Sequence, residues 1–188
     1  MKKTLLLAVA GVLTLCAAPS FAQMAMSHEH TVMVGGAAMY PSKTIVENAI
    51  NSKDHTTLVA AVKAAGLVDT LSGPGPFTVF APTNAAFAKL PAGTVDTLVK
   101  PENKATLTKI LTYHVVAGRM TAADLEANAM AHGGKAVLTT VQGEMLTVSK
   151  AGMGWKVTDA KGGSAMITIP DVLQSNGVIH VVDTVLMP

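Results

Sequence analysis

Apolar residues in the first half of the chain recur at the spacing of amphipathic helices. A first helix is predicted from a possible cap at Ser42 through the apolar positions of 45–50, and a second over 58–65, which a glycine ends. The longest helix is predicted over 101–116, because Pro101 suits a first-turn position. Its inward-facing stripe consists of Leu107, Ile110, Leu111, His114 and Val115.

Shorter apolar runs separated by turn residues dominate the second half, and this is the pattern of β-strands. One earlier run, at 77–81, is apolar at successive positions, so we expect a strand that is buried on both faces and ends at Pro82. Thr83 then caps a short predicted helix through Lys89. Further strands are predicted at 136–141, 145–149, 155–158, 165–169 and 178–186. Because helices mostly precede strands, the sequence predicts a single α+β domain with its helices mostly in the N-terminal half.

The N-terminus has the pattern of a cleaved signal peptide. Lys2 and Lys3 form a positive region, 5–15 is an apolar stretch too short to span a bilayer, and Ser20-Phe21-Ala22 is a small-residue cleavage site. We therefore expect residues 1–22 to be removed. Residues 23–40 show no clear periodicity and are predicted to be a flexible N-terminal arm, and the folded domain is predicted over 41–188.

Composition narrows the choice of partners and location. The chain has one cysteine, Cys16, and it lies in the predicted signal peptide, so the exported chain is expected to fold without disulfides. Without Lys2 and Lys3, 12 basic residues balance 12 acidic ones, and nothing favours nucleic acid as a partner. No second apolar run is long enough to cross a membrane. We expect a secreted or periplasmic protein, with a monomer slightly favoured and the oligomeric state left open.

Three separated motifs resemble a known family. The first is Thr-Val-Phe-Ala-Pro-Thr-Asn-Ala-Ala-Phe at 78–87, and the second is the pair Tyr113-His114. The third is Gly-Val-Ile-His-Val-Val-Asp at 177–183, followed by Val-Leu-Met-Pro at 185–188. These motifs occur in the same order as in the fasciclin-like extracellular adhesion modules, which they resemble. The chain resembles a bacterial, secreted, single-domain member of that family.

The resemblance extends from residue 42 to residue 188 and carries expectations about fold and activity. It implies a wedge of two β-sheets with helices packed around it. It also implies cell adhesion or association with a surface or matrix, by binding an extracellular or envelope protein or a surface carbohydrate. We expect no cofactor.

Tyr113 and His114 are the partner-binding candidates that the resemblance implies. The sequence by itself favours burial for His114, since it lies on the apolar stripe of its helix and a histidine there is usually a hydrogen-bonded core residue. We expect Tyr113 to be partly exposed, with its ring packed and its hydroxyl in water.

A second candidate segment is Asp171-Val172-Leu173, which resembles the Asp-Ile-type segment implicated in integrin recognition by animal relatives. An exposed aspartate beside two apolar residues suits contact with a partner, although the bacterial-style signal peptide argues for a different ligand. The alternative is that Asp171 caps a short helical turn before Ser175.

Two further polar residues near the C-terminus are expected to be structural. His180 lies among valines and an isoleucine and is predicted to be a core histidine with satisfied ring nitrogens. Asp183 is predicted to bind backbone amides near the chain end.

The predicted arm offers an alternative function. Met24, Met26, His28 and His30 place two thioethers and two imidazoles in one short segment, and these groups suit Cu(I) and Cu(II) respectively. The alternative is therefore copper or other soft-metal handling, against a methionine-containing arm that binds no metal. We expect no enzyme, because the sequence has no Gly-x-Ser-x-Gly elbow, no phosphate loop and no His-Glu-x-x-His motif.

Overall fold

The computed structural model describes residues 31–188, and the elements below are those of this range. The α-helices are α1 (Ile45–Asn51), α2 (Thr56–Ala65), α3 (Val68–Ser72), α4 (Asn84–Ala88), α5 (Thr94–Leu98), α6 (Lys104–Tyr113) and α7 (Ala122–Ala131). The β-strands are β1 (Val32–Val34), β2 (Ala37–Met39), β3 (Phe77–Pro82), β4 (Val115–Ala117), β5 (Lys135–Thr139), β6 (Met145–Ala151), β7 (Gly154–Thr158), β8 (Ser164–Gln174) and β9 (Gly177–Val182). The expected α+β class, with helices mostly in the N-terminal half, is confirmed.

Side-chain caps determine where several helices begin. Thr44, rather than the predicted Ser42, caps α1, and its side chain and that of Glu47 form a capping box. Thr83 caps α4 as predicted, by accepting a hydrogen bond from the backbone N–H of Ala86. Gly66 ends α2 in the left-handed conformation, which glycine adopts without a steric penalty.

The long helix predicted over 101–116 is shorter in the structure. A 3-10 turn at Pro101–Asn103 precedes α6, and the helix ends at Tyr113. Val115 then leaves the helix to pair with Val79, which makes 115–117 an edge strand of the sheet. Hydrogen bonds to β3 therefore override the helical spacing of the last predicted turn.

The strands form two sheets of unequal size. β1 and β2 make a two-stranded antiparallel sheet, and the other strands make a seven-stranded sheet in the order β4-β3-β9-β8-β7-β6-β5. β3 and β9 are parallel, while the other neighbouring strands are antiparallel. A bridge between Val116 and Thr140 joins the two ends of the large sheet, so that it is nearly closed.

Residues 31–40 differ from the flexible arm that was predicted over 23–40. The β1–β2 hairpin pairs Val32 with Met39 and Val34 with Ala37, and the side chains of Val34 and Met39 are buried. The short strands were missed because three residues carry too little periodicity to identify a strand. Residues 1–30, with the predicted signal peptide and the rest of the arm, lie outside the described range.

Two apolar clusters lie on opposite sides of the central pair β3 and β9. Val79 and Ile179 face a cluster formed with α1, α2 and α6, which we call the helical core. Phe80 and Val182 face a cluster enclosed by the curved sheet and α7, which we call the sheet core. The prediction that the strand at 77–81 is buried on both faces is therefore confirmed.

Candidate partner-binding site

Tyr113 lies in the interior, and the expectation of partial exposure is wrong. Its exposed fraction is 0%, because the residue at the end of α6 faces the sheet core. The hydroxyl donates to the carbonyl oxygen of Met145 at 3.2 Å and accepts from the backbone N–H of Ala160 at 2.9 Å. Burial raises the pKa of this phenol. The ring and hydroxyl connect α6 with β6 and with the turn after β7.

His114 is also buried, as its place on the apolar stripe predicted. Its Nδ1–H donates to the carbonyl of Ile110 at 2.8 Å, and its Nε2 accepts from the backbone N–H of Leu186 at 3.0 Å. This pair of partners requires the neutral ring with the proton on Nδ1. Burial lowers the pKa of His114 to about 4, although the Ile110 carbonyl opposes the shift. The imidazole therefore fastens the C-terminal segment to the end of α6.

Asp171 occupies a bulge in β8 and connects that strand to α7. Its backbone has a φ of 55°, in the left-handed region, where aspartate is more common than most residues. Its carboxylate accepts from the backbone N–H of Ala122 at 2.7 Å, which satisfies a free amide in the first turn of α7. The alternative of a cap on a helical turn before Ser175 is wrong, because residues 164–174 form a strand.

His180 lies behind this bulge and has the structural role that was predicted. Its Nδ1 accepts from the backbone N–H of Asp171 at 3.3 Å, and its Nε2–H donates to the carbonyl of Met120 at 2.8 Å. Its ring is stacked on that of Phe80, with 5.7 Å between the ring centroids. Burial lowers the pKa of His180, so the ring is neutral near pH 7. Together these bonds hold the bulge against the start of α7.

The two residues after Asp171 point to opposite sides of β8. Val172 is 1% exposed and belongs to the helical core, whereas Leu173 is 37% exposed. Of the five predicted partner-binding residues, Leu173 alone presents a large apolar surface to solvent. A role in partner binding for Tyr113, His114, Asp171, Val172 and Leu173 stays a prediction.

Asp183 binds backbone near the chain end, as expected. One carboxylate oxygen accepts from the N–H of Met166 at 2.8 Å, and the other lies 3.3 Å from the ammonium group of Lys89. Hydrogen bonds from Met166, Thr184 and Lys89 lower the pKa of this carboxyl against the opposing effect of partial burial.

The structure also shows an exposed apolar group that the sequence analysis did not single out. Val137 and Val141, at and just after β5, are about half exposed, and Met145 on β6 is 62% exposed. Met145 is the register partner of Thr139, which places it on the same outward face as Val137. We call Val137, Val141 and Met145 the outer patch. The alternation of buried and exposed positions along β5 and β6 could have predicted this patch from the sequence. Residues that alternate with the buried ones point to the opposite, outward face of the sheet.

The described residues offer no metal centre and no membrane span. Within 31–188, no group of three or more His, Cys, Asp or Glu side chains could hold a metal ion. In the same range no helix is long and apolar enough to cross a bilayer. Met24, Met26, His28 and His30, on which the copper alternative depends, lie outside the described residues.

The fold and the buried motif residues define an α+β domain in which two distant motifs lie side by side. Thr78 pairs with Val178 and Pro82 with Val182, so the segments at 78–87 and 177–183 share one parallel ladder. The chain belongs to the fasciclin domain family, whose domain model matches residues 53–188.

Several curated proteins are similar to this chain. Protein sll1483 of Synechocystis sp. is 50% identical over 162 residues, which cover 85% of this chain and 82% of that protein. The Immunogenic protein MPB70 of Mycobacterium bovis is 41% identical, over 74% of this chain and 66% of the relative. The Cell surface glycolipoprotein MPB83 of the same species is 39% identical, over 82% of this chain and 64% of the relative.

A solved structure has the same fold. It is a FAS1 domain pair from the insect cell adhesion molecule Fasciclin I, with a TM-score of 0.70 and 20% sequence identity. The match covers 79% of this chain but 52% of that chain, so this protein spans about half of the insect domain pair.

Proposed function

We propose that this protein is a secreted or periplasmic binding module that mediates adhesion or surface association. The proposal is supported by membership of the fasciclin domain family and by relatives that include a cell surface glycolipoprotein. The fold is shared with a domain pair from a cell adhesion molecule. The partner is an extracellular or envelope protein or a surface carbohydrate, and the work of the protein is binding rather than catalysis.

The outer patch is the contact surface that we favour, and it is the observation that carries the proposal. Val137 and Met145 expose apolar side chains on one face of the neighbouring strands β5 and β6, and Val141 is exposed just after β5. Glu144, whose carboxylate lies 3.8 Å from the ammonium group of Lys109, and the half-exposed Thr147 lie beside them. An apolar centre with a polar rim is the usual composition of a protein-binding surface.

A bead-binding assay tests this surface. Beads coated with the protein are incubated with envelope fragments of the organism that produces it, and the bound fraction is measured against protein density. Met145→Lys places a charge at the centre of the outer patch and is expected to reduce binding at least about tenfold, since a buried unpaired charge at an interface costs more than about 1.4 kcal/mol.

Met153→Lys is the matched control. Met153 lies in the turn between β6 and β7 with an exposed fraction of 105%, so the same substitution there is expected to leave binding unchanged.

Leu173→Lys tests the alternative contact at the predicted Asp171-Val172-Leu173 segment. Protease and periodate treatment of the fragments distinguish a protein partner from a carbohydrate. Equal binding by the wild type and Met145→Lys would exclude the outer patch, and no saturable binding by the wild type would contradict the proposed function.

A further inference from the structure

The seven-stranded sheet has a seam where its two end strands, β4 and β5, meet. The strands are joined at one bridge, between Val116 and Thr140. β4 ends at Ala117, directly after this bridge, whereas β5 continues away from it over Lys135–Thr139. Among the described residues, β5 therefore pairs with β6 on one edge and has no strand along most of the other. We call this second edge of β5 the free edge.

The backbone of Val137 and Thr139 points to the free edge. The N–H of Thr140 donates to the carbonyl oxygen of Glu144, just before β6, at 2.9 Å. Such pairs recur at every second residue of an antiparallel ladder, so 136 and 138 also bond to β6, while 137 and 139 face away from it. Val141 confirms this alternation, because its N–H donates across the seam to a carbonyl oxygen of β4 at 2.7 Å. β5 therefore presents backbone groups to a strand that residues 31–188 do not supply.

An open groove of about 350 Å³ lies along the free edge, where a longer β4 would continue. Its lining includes Ala117 at the end of β4, Met120, Asn128 of α7, and Val137 and Thr139 of β5. The volume is within the range of about 300–1,000 Å³ that is usual for ligand sites. Val137 also belongs to the outer patch, so the groove and the patch form one continuous surface.

Asn128 brings an unpaired side-chain amide to this groove. Its Oδ1 is buried and has no hydrogen-bond partner among residues 31–188. Such atoms are rare in folded proteins, because a buried acceptor without a partner has lost its hydrogen bond to water and gained none. A backbone N–H of a bound chain would satisfy this oxygen.

We propose that the groove binds an extended peptide segment of a partner protein, which adds as a short strand to the free edge of β5. The backbone of the segment pairs with Val137 and Thr139, one side chain packs beside Ala117 and Met120, and Asn128 accepts a hydrogen bond from the segment. In this mode of recognition, main-chain hydrogen bonds supply affinity and alternate side chains supply specificity. The inference rests on the proposed function, since it assigns the part of the partner that is bound.

A single extended segment suits the groove better than a second copy of this chain or a carbohydrate. Asn128 of α7 and Ala117 of β4 flank the free edge, and in a second copy the same elements would meet them before two β5 strands could pair. A carbohydrate lacks the alternating N–H and C=O groups that recur along a strand at about 3.3 Å per residue. The groove is lined by uncharged residues, which favours uncharged side chains in the segment.

A probe peptide and two N-methylated analogues test the site. The probe is acetyl-Lys-Val-Thr-Val-Thr-Glu-amide, and the analogues carry N-methyl groups on both valines or on both threonines. Each analogue lacks the N–H donors of one strand edge, so one is expected to bind at least about tenfold more weakly than the probe while the other binds equally well. Backbone amide shifts of the protein, followed by NMR, give the three affinities.

Hydrogen exchange reports where the probe binds. The amides of Val137 and Thr139 are expected to exchange more slowly in the presence of the probe, because they gain hydrogen bonds. The amides of Ala136 and Leu138 are expected to change little, since they already bond to β6.

Matched variants separate the groove from a general effect on the fold. Ala117→Phe fills the groove and is expected to abolish binding of the probe, whereas Ala123→Phe, on the exposed face of α7, is expected to leave it unchanged. Asn128→Ala is expected to weaken binding about fivefold without lowering the melting temperature, because Oδ1 has no partner to lose within residues 31–188.

The outcomes distinguish this inference from the proposed function. The absence of saturable shifts up to the solubility of the probe would overturn the inference alone, and so would equal binding of the two analogues or binding that Ala117→Phe does not change. Binding to envelope fragments that resists protease and is lost after periodate treatment would show a carbohydrate partner and would also overturn it. Saturable binding of the probe without binding to the fragments would contradict the proposed function and leave the peptide site in place.

Discussion

The buried histidines show how single polar residues organise this molecule. His114 and His180 each use both ring nitrogens, one to donate to a carbonyl and the other to accept from a backbone N–H. In both residues the bonded partners include backbone that is distant in sequence. Each ring therefore acts as a structural link, and each link requires the neutral imidazole because an accepting nitrogen cannot also carry a proton.

A pH dependence of stability follows from His114. Its pKa is about 4 in the folded protein, whereas the ordinary value for histidine, which applies to the unfolded chain, is 6.5. The unfolded chain therefore binds the proton more readily. The stabilisation from the neutral ring is complete above pH 6.5 and is lost as the pH falls toward about 4, at a total cost of about 3 kcal/mol. Urea unfolding at several pH values measures this loss.

The variant His114→Gln isolates the contribution of this residue. Glutamine keeps a donor and an acceptor but does not titrate, so the free energy of unfolding falls less steeply between pH 6.5 and 4 than in the wild type. NMR of the ring protons gives the pKa of His114 directly. A wild-type ring that titrates near 6.5 in the folded protein would contradict the expectation.

The β1–β2 hairpin contributes to the hydrophobic core, although a flexible arm was predicted for these residues. Its two strands contain three residues each, and yet Val34 and Met39 enter the helical core. The hairpin also contacts the loop after α1, where Lys53 donates its backbone N–H to the carbonyl of Gly35 at 3.2 Å. The domain therefore begins before residue 41.

Two methionine substitutions test the hairpin. Met39→Ala removes a buried side chain and is expected to lower the free energy of unfolding by about 2–5 kcal/mol, the range for large-to-small changes in a core. Met33→Ala alters a side chain that is 60% exposed and is expected to change it by less than about 0.5 kcal/mol. Urea unfolding measures both values, and equal small effects would mean that the hairpin contributes little to the core.

At the scale of the whole molecule, the two cores share the strands β3 and β9. Alternate residues of these strands face the helical core and the sheet core, so neither cluster is complete without the ladder that also serves the other. We expect the domain to unfold in one cooperative transition for this reason.

Leu58→Ala tests this coupling from one core to the other. Leu58 lies in the helical core, whereas Trp155 lies in the sheet core. The substitution is expected to destabilise by about 2–5 kcal/mol and to shift the thermal transitions of far-UV circular dichroism and of Trp155 fluorescence equally. Separate midpoints for the two signals would show that the cores unfold independently.

Local patterns identified most of the elements correctly. The apolar spacing of α2 and the alternation of β5 to β7 depend on neighbours within a few residues, and these elements appear close to the predicted positions. The predicted end of the long helix was wrong because β4 forms hydrogen bonds with β3, about 40 residues away in sequence. Those bonds, rather than local spacing, determine the conformation of β4. Short elements such as β1 and β2 depend in the same way on distant contacts.

The sequence by itself determined the α+β class, the family resemblance and the burial of His114 and His180, because periodicity and motifs express which side chains avoid water. Only the tertiary structure decided that Tyr113 lies wholly inside, that Asp171 accepts a hydrogen bond from the first turn of α7 across the fold, and that Val137 and Met145 share an exposed face. These outcomes depend on pairings between residues far apart in sequence, and chain topology fixes such pairings whereas local spacing does not.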